Sequence, residues 1–77
     1  MPELIKKIRF LRETSHISQE FMAFELGISQ PAYSKLERGA TELTLSRLQK
    51  IAFILGFSTA ELMNNNMEVL AARLLQR

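Results

Sequence analysis

Three polar side chains between residues 29 and 38 have the chemistry needed to read nucleic-acid bases. Gln30 carries an amide that can bond to N6 and N7 of adenine, and Lys35 can donate to O6 and N7 of guanine. Ser34 can both donate and accept a hydrogen bond. Considered without a fold, a solvated helix face explains these three residues better than a binding site does. Their significance therefore depends on the elements that position them.

The composition leaves little room for catalytic or metal chemistry. The 77 residues include one histidine, no cysteine and eight acidic residues, all of them glutamate. A nucleophile beside a base, or a cluster of metal ligands, needs residue types that this chain lacks. We therefore expect no enzyme activity, no metal site and no cofactor. The formal net charge of +2 is only a weak indication of a nucleic-acid partner.

Features of a secreted or membrane-bound protein are also missing from the sequence. The apolar runs are a few residues long, whereas a membrane-spanning helix needs about 20. The N-terminal residues interleave lysine with isoleucine and form no signal-peptide core. We expect a single cytoplasmic domain that has no contact with a membrane.

Helical spacing of apolar residues and well-placed capping residues predict six short helices and no strands. The predicted spans are 4–14, 18–26, 29–38, 44–55, 58–63 and 67–76. Glycines follow three of them, at positions 27, 39 and 56. The predicted capping residues are Ser18, Ser29, Thr44 and Ser58, with Asn65 and Asn66 at the sixth helix. The first four also carry an apolar pair that flanks the cap, as in a hydrophobic staple. These pairs are Ile17 with Met22, Ile28 with Tyr33, Leu43 with Leu48 and Phe57 with Leu62.

The connection between the second and third helices is unusually tight. Only residues 27–29 separate them, so the chain needs a residue that accepts a positive φ, and Gly27 supplies it. Ala23 is small enough for a close helix crossing, and Ile28 can fill the core from the turn. Such a joint is typical of a helix-turn-helix, whose second helix enters the DNA major groove. An αα corner with no ligand explains the turn equally well.

The run SQEFMAFELGISQPAYSKLERG at residues 18–39 resembles the phage repressor/Cro-like helix-turn-helix family, also called the xenobiotic-response-element type of transcriptional regulators. The likeness continues on both sides and covers about residues 4–63. It implies an all-α fold, in which residues 1–63 form a compact five-helix repressor-like DNA-binding domain. Residues 64–77 then form a C-terminal helical extension, a possible dimerisation element.

The resemblance also implies which residues contact DNA. The base-contacting residues it implies are Ser29, Gln30, Pro31, Ser34 and Lys35. The phosphate-contacting residues it implies are Gln19, Arg38, Thr41, Thr44 and Arg47. In the family, the position of Gln19 meets a phosphate and braces the position of Gln30. Two departures weaken the pattern, because Pro31 has no donor and Glu42 places a negative charge in a loop that is often basic.

The resemblance also bears on three positions inside the fold. Arg12 and Glu37 match a partly buried ion pair that ties the first helix to the third. Tyr33 replaces an aliphatic residue, so we expect it mainly in the core, with its hydroxyl able to reach solvent or a phosphate.

Apolar residues outside the repressor-like pattern predict a dimer or partner surface. Phe10, Phe21 and Phe24 stand in excess on the first two helices, and an exposed aromatic patch needs cover. Met67, Leu70 and Leu74 share a face of the last helix, which is too short to be stable alone. We expect this helix to cover such a patch, on its own chain or on a twofold partner. A loosely ordered tail is the alternative.

Two functions follow from these features. The first is a sequence-specific DNA-binding transcriptional regulator, a repressor, that binds a palindromic operator as a homodimer. The second is an antitoxin-like interaction module that holds a toxin through its aromatic face and last helix. The proposed reading helix, residues 29–38, distinguishes the first function, and the three phenylalanines distinguish the second.

Overall fold

The chain folds into six α-helices, and the computed structural model describes residues 2–76. In chain order they are α1 Pro2–Thr14, α2 Gln19–Leu26, α3 Gln30–Glu37, α4 Leu45–Leu55, α5 Thr59–Asn64 and α6 Met67–Leu75. No strand occurs within residues 2–76. The predicted all-α fold with a short sixth helix is therefore confirmed.

Local capping explains where the helices begin. At five starts a side-chain oxygen accepts a hydrogen bond from the backbone N–H three residues later, which satisfies an otherwise unpaired donor. The capping residues are Ser18, Ser29, Thr44, Ser58 and Asn66. At α5 the Glu61 carboxylate also accepts from the Ser58 N–H at 2.9 Å, which completes a capping box. The predicted caps are confirmed.

The first helix begins earlier than its apolar spacing predicts. It starts at Pro2 rather than at Leu4. Proline is well tolerated in the first turn, because the N–H that it lacks would have no partner there. Glu3 in the same turn places a negative charge near the positive end of the helix dipole.

One hydrophobic core holds all six helices together. Its fully enclosed side chains include Ile8 and Leu11 from α1, Met22 from α2, and Leu62 from α5. The apolar residues that precede the four caps join this core. Phe57 is buried, and Ile17, Ile28 and Leu43 pack against the core while partly exposed. Each of these four helix starts is thus fixed by a polar cap outside and an apolar contact inside.

The sixth helix packs on α1 of its own chain. Leu70 is completely buried there, so it is not available to the dimer or partner surface predicted from its position in the sequence. Two polar contacts link α5 to its neighbours on either side: the Lys7 ammonium of α1 donates to the Leu62 carbonyl at 2.7 Å, and Arg73 of α6 lies 2.9 Å from Glu61. Residues 67–75 are therefore an integral layer of the fold rather than a loose tail.

The aromatic residues that the last helix was expected to cover stay exposed. Phe21 is 48% exposed and Phe24 is 79% exposed, while Phe10 is partly covered at 41%. On this chain α6 covers neither of the two phenylalanines of α2, because its apolar face is used by α1. Met67 and Leu74 on the same helix are partly buried.

Candidate nucleic-acid interface

The turn between α2 and α3 sets the direction of α3. Gly27 adopts the left-handed conformation, with φ 70° and ψ 30°. Its N–H donates to the Phe24 carbonyl at 3.1 Å, and the N–H of Ile28 donates to the Ala23 carbonyl at 3.0 Å. These bonds satisfy the carbonyls that the end of α2 leaves unpaired. Ala23 is buried at the crossing, so α3 leaves the turn close to α2.

One side of α3 is anchored in the core, and the other is open. Tyr33, Leu36 and Glu37 are buried. The opposite edge contains the residues predicted to contact bases, of which Ser34 is partly buried and the others are exposed. These residues are Ser29, Gln30, Pro31, Ser34 and Lys35. We call this edge of α3 the reading edge.

A buried ion pair fixes α3 to α1. The Nε of Arg12 donates to Oε2 of Glu37 at 2.6 Å, and its Nη2 donates to Oε1 at 3.1 Å. The two side chains are only 10% and 3% exposed. Arg12 also donates from Nη1 to the Ile17 carbonyl at 2.7 Å. This forked geometry gives the pair both strength and a fixed orientation.

The ion pair continues outward to the reading edge through two glutamines. Gln19 lies at the start of α2, and its Nε2 donates to Oε1 of Glu37 at 3.2 Å. Gln30 donates from its Nε2 to Oε1 of Gln19 at 2.8 Å. The structure thus brings Gln19 and Gln30 together, as the resemblance implies, and joins both to the buried carboxylate.

Hydrogen bonding keeps Glu37 ionised inside the fold. Burial opposes its ionisation, but hydrogen bonds from Arg12, Tyr33 and Gln19 outweigh that effect and lower its pKa below the ordinary glutamate value. Burial, together with the hydrogen bond to Glu37, raises the pKa of Tyr33. For Arg12, burial lowers the pKa, but the contact with Glu37 has the larger opposite effect, so the net shift of the pKa is upward. The carboxylate and the guanidinium therefore both remain charged near neutral pH.

Tyr33 lies deeper than its sequence context suggests. Its side chain is fully buried, and its hydroxyl donates to Oε2 of Glu37 at 2.5 Å. The enclosed hydroxyl does not point into solvent. The expectation that it could reach solvent or a phosphate is therefore corrected. The spacing of Tyr33 and Glu37, four residues apart on one helix, could have indicated this contact. The bond from Gln19 to Glu37 has no such local signal.

Comparisons with known proteins agree with this geometry. The helix-turn-helix family matches residues 8–62, a range that includes α2, the turn and α3. The chain belongs to this family, in its phage repressor/Cro-like form. A control protein from a Mycoplasma species, C.MunI, is 33% identical over 61 residues, which cover 79% of this chain and 80% of that protein. No solved structure matches the chain.

Family membership identifies a DNA-binding transcriptional regulator of the helix-turn-helix type. The expected resemblance to the family is confirmed. Within residues 2–76 no helix is long and apolar enough to cross a membrane. In the same residues no group of side chains is suited to hold a metal ion.

The predicted phosphate-contacting residues lie around the two ends of this helix-turn-helix. Gln19 and Arg47 are partly buried, whereas Arg38, Thr41 and Thr44 are exposed. The Thr44 hydroxyl accepts a hydrogen bond from the backbone N–H of Arg47 at 3.2 Å and still has a hydrogen to donate. All five residues are at least partly exposed to solvent.

Positive charge accumulates beside the C-terminal end of α3. An open groove of about 880 Å³ separates α1 from the loop after α3, and its lining includes Lys6, Arg9 and Arg38, with Glu37 and Glu42 as opposing charges. Arg9 lies 3.9 Å from Glu13 in an exposed pair, which contributes little to stability. This side of the domain therefore favours an anionic neighbour.

Proposed function

We propose that this regulator recognises a specific sequence of double-stranded DNA by placing the reading edge of α3 in the major groove. The observation that carries the proposal is the two-sided character of α3. Its inner side is locked by Tyr33, Leu36 and Glu37, while Gln30 and Lys35 face outward without cover. A rigid helix with free donors and acceptors on its outer side suits direct readout of base edges.

Residues around the ends of α3 hold the DNA backbone in this proposal. Gln19 at the start of α2 donates to one phosphate, where the positive helix terminus favours an anion. Arg38, Thr41, Thr44 and Arg47 contact the backbone beyond the other end of α3. Such contacts fix the register of the protein on the duplex, whereas Gln30, Ser34 and Lys35 specify the sequence.

A homodimer on a palindromic operator completes the proposal. The eight residues of α3 span about 12 Å, which covers only a few base pairs. Two copies whose reading edges lie roughly 34 Å apart would read both halves of a palindrome. The exposed Phe21 and Phe24 support a contact between copies, with Phe10, Met67 and Leu74 as further candidates. Occupation of an operator in the cytoplasm would then repress the adjacent promoter.

The similarity to C.MunI supports the regulatory part of this proposal, because that relative is described as a control protein. It does not distinguish repression from activation. A reporter gene placed under the selected operator makes that distinction. Repression predicts that co-expression of the protein lowers the reporter signal, and a raised signal would contradict it.

Titration of DNA with matched variants tests the reading edge. A duplex selected from a random pool by the wild-type chain serves as the probe in gel-shift measurements. Gln30→Ala and Lys35→Ala should each weaken binding, by about 5- to 150-fold for a lost base contact. Lys50→Ala is the charge-matched control, because Lys50 is exposed on α4 beside Glu25, away from α3. Equal affinities for all four proteins would contradict the proposal.

Sedimentation separates the regulator from the antitoxin-like alternative that the exposed phenylalanines favour. If the chain binds an operator as a dimer, sedimentation should show a homodimer, either of the free protein or on the selected duplex. Phe24→Ser should weaken that association while the domain stays folded. A monomer that exposes a dye-binding apolar surface and binds no selected duplex would favour a missing protein partner.

A further inference from the structure

The carboxylate of Glu37 has its hydrogen-bonding capacity fully used. Oε2 accepts from Nε of Arg12 and from the Tyr33 hydroxyl, and Oε1 accepts from Nη2 of Arg12 and from Nε2 of Gln19. An ionised carboxylate can only accept hydrogen bonds. The side of Gln19 that faces Glu37 must therefore be the N–H₂ side of its amide.

The orientation of the Gln19 amide in turn determines the orientation of the Gln30 amide. With its Nε2 directed toward Glu37, Gln19 presents its Oε1 to Gln30. That oxygen accepts from Nε2 of Gln30 at 2.8 Å, which in turn fixes the sense of the Gln30 amide. One N–H and the Oε1 of Gln30 then stay free for a ligand. A reversed Gln30 amide would set its oxygen against the Gln19 oxygen, and a reversed Gln19 would set its oxygen against Glu37.

We propose that Glu37 is a positioning residue that makes Gln30 select adenine over guanine at the base pair it reads. This inference rests on the proposed function and adds a specificity-determining residue to it. Adenine presents an N6 donor beside the N7 acceptor, which matches the free oxygen and N–H of Gln30. Guanine presents two acceptors, O6 and N7, and its O6 would face the Gln30 oxygen.

Burial gives this selection its strength. Side-chain exposures of 10% for Arg12 and 3% for Glu37 leave little water to compete for the carboxylate. The carbonyl of Ile17 holds the same guanidinium from a third direction at 2.7 Å. The carboxylate therefore cannot turn to follow a reversed Gln19, and a hydrogen-bond chain with a fixed sense connects the core to the reading edge.

The test measures base discrimination rather than affinity. The probe is the selected duplex, made with A·T or with G·C at the position whose preference changes in Gln30→Ala. For the wild type we expect an affinity ratio of about 5- to 150-fold in favour of adenine. Gln19→Met keeps the side-chain length but removes the connection, so the Gln30 amide can reverse and the ratio should fall close to one.

A second variant removes the carboxylate while both glutamines stay. Arg12→Met combined with Glu37→Met replaces the buried pair by apolar residues, a change that proteins often tolerate. It should also abolish the preference for adenine. Tyr33→Phe is the control within the same network, because it leaves Oε1 and its bond to Gln19 in place and should keep the ratio.

The outcomes separate this inference from the proposed function. Loss of discrimination both in Gln19→Met and in the variant that lacks the Glu37 carboxylate, with discrimination kept in Tyr33→Phe, supports the positioning role of Glu37. Full discrimination in Gln19→Met overturns it, even where Gln30→Ala shows that Gln30 reads the base. Unchanged binding by Gln30→Ala instead overturns the proposed function. Where the double variant fails to fold, Glu37→Gln takes its place, because an amide at position 37 can both donate and accept and no longer fixes the sense of Gln19.

Discussion

Replacement of Gly27 by alanine tests the turn that directs α3. Gly27 has a φ of 70°, and a Cβ built on it would meet no atom within 4 Å. The cost of Gly27→Ala is therefore conformational rather than steric. A left-handed conformation costs an L-residue about 1–2 kcal/mol, and the stiffer unfolded chain of the variant offsets roughly 0.4–1 kcal/mol of this.

We expect a net loss of about 1 kcal/mol in the free energy of unfolding. For a domain of this size that loss lowers the melting temperature by about 4–8 °C. Urea unfolding followed by circular dichroism measures it. Gly27→Asn should cost less than Gly27→Ala, because asparagine accepts the left-handed region more readily. DNA affinity well below the melting temperature should not change in either variant.

Two results would refute this reasoning. A loss above about 3 kcal/mol would mean that the added methyl group clashes, in conflict with the open space around Gly27. A gain in stability would mean that residue 27 is not left-handed, and then the direction of α3 would also be wrong. The same substitution at Gly39, which has a φ of 73° and equally open surroundings, tests the reasoning independently at the end of α3.

Three more predictions concern the layers that support the reading edge. Leu70→Ala should lower the free energy of unfolding by about 2–5 kcal/mol. Leu75 is 76% exposed on the same helix, so Leu75→Ala should change that free energy by less than about 0.5 kcal/mol. Equal effects of the two changes would indicate that α6 is loosely packed. Arg12→Met alone should cost about 3–5 kcal/mol and the Arg12→Met, Glu37→Met double variant much less, by urea unfolding. Folding lowers the pKa of Glu37 below the ordinary value of 4.5, so the stability that its ionisation supplies is complete above that pH and is lost as pH falls through the folded-state pKa. A wild type whose unfolding is no more acid-sensitive than that of the double variant would contradict this.

The local features of the fold could be predicted well from the sequence. The starts at Ser18, Ser29, Thr44 and Ser58 could be predicted because a cap involves one side chain and an N–H three residues away. Glycines at the ends of α2 and α4 were equally clear, since few other residues accept a positive φ. The largest local difference, at the start of α1, arose because Pro2 carries no apolar signal.

Contacts between distant residues were harder to predict. The apolar face of α6 could be recognised, but its spacing could not show that Leu70 is enclosed by α1 rather than by a partner. The reading edge was found through the family resemblance, since Gln30 and Lys35 alone look like a solvated face. The contact of Gln19 with Glu37 joins residues on different helices, and only the crossing of α2 and α3 brings them together.

The location of the DNA contact is the central claim, and nuclear magnetic resonance tests it most directly. The backbone amide signals of the isotope-labelled chain are followed while the selected duplex is added. The account predicts that the largest shifts occur at residues 29–35 and at Gln19, with little change in α6. Shifts concentrated around Phe24 or in α6, with residues 29–35 unmoved, would contradict it.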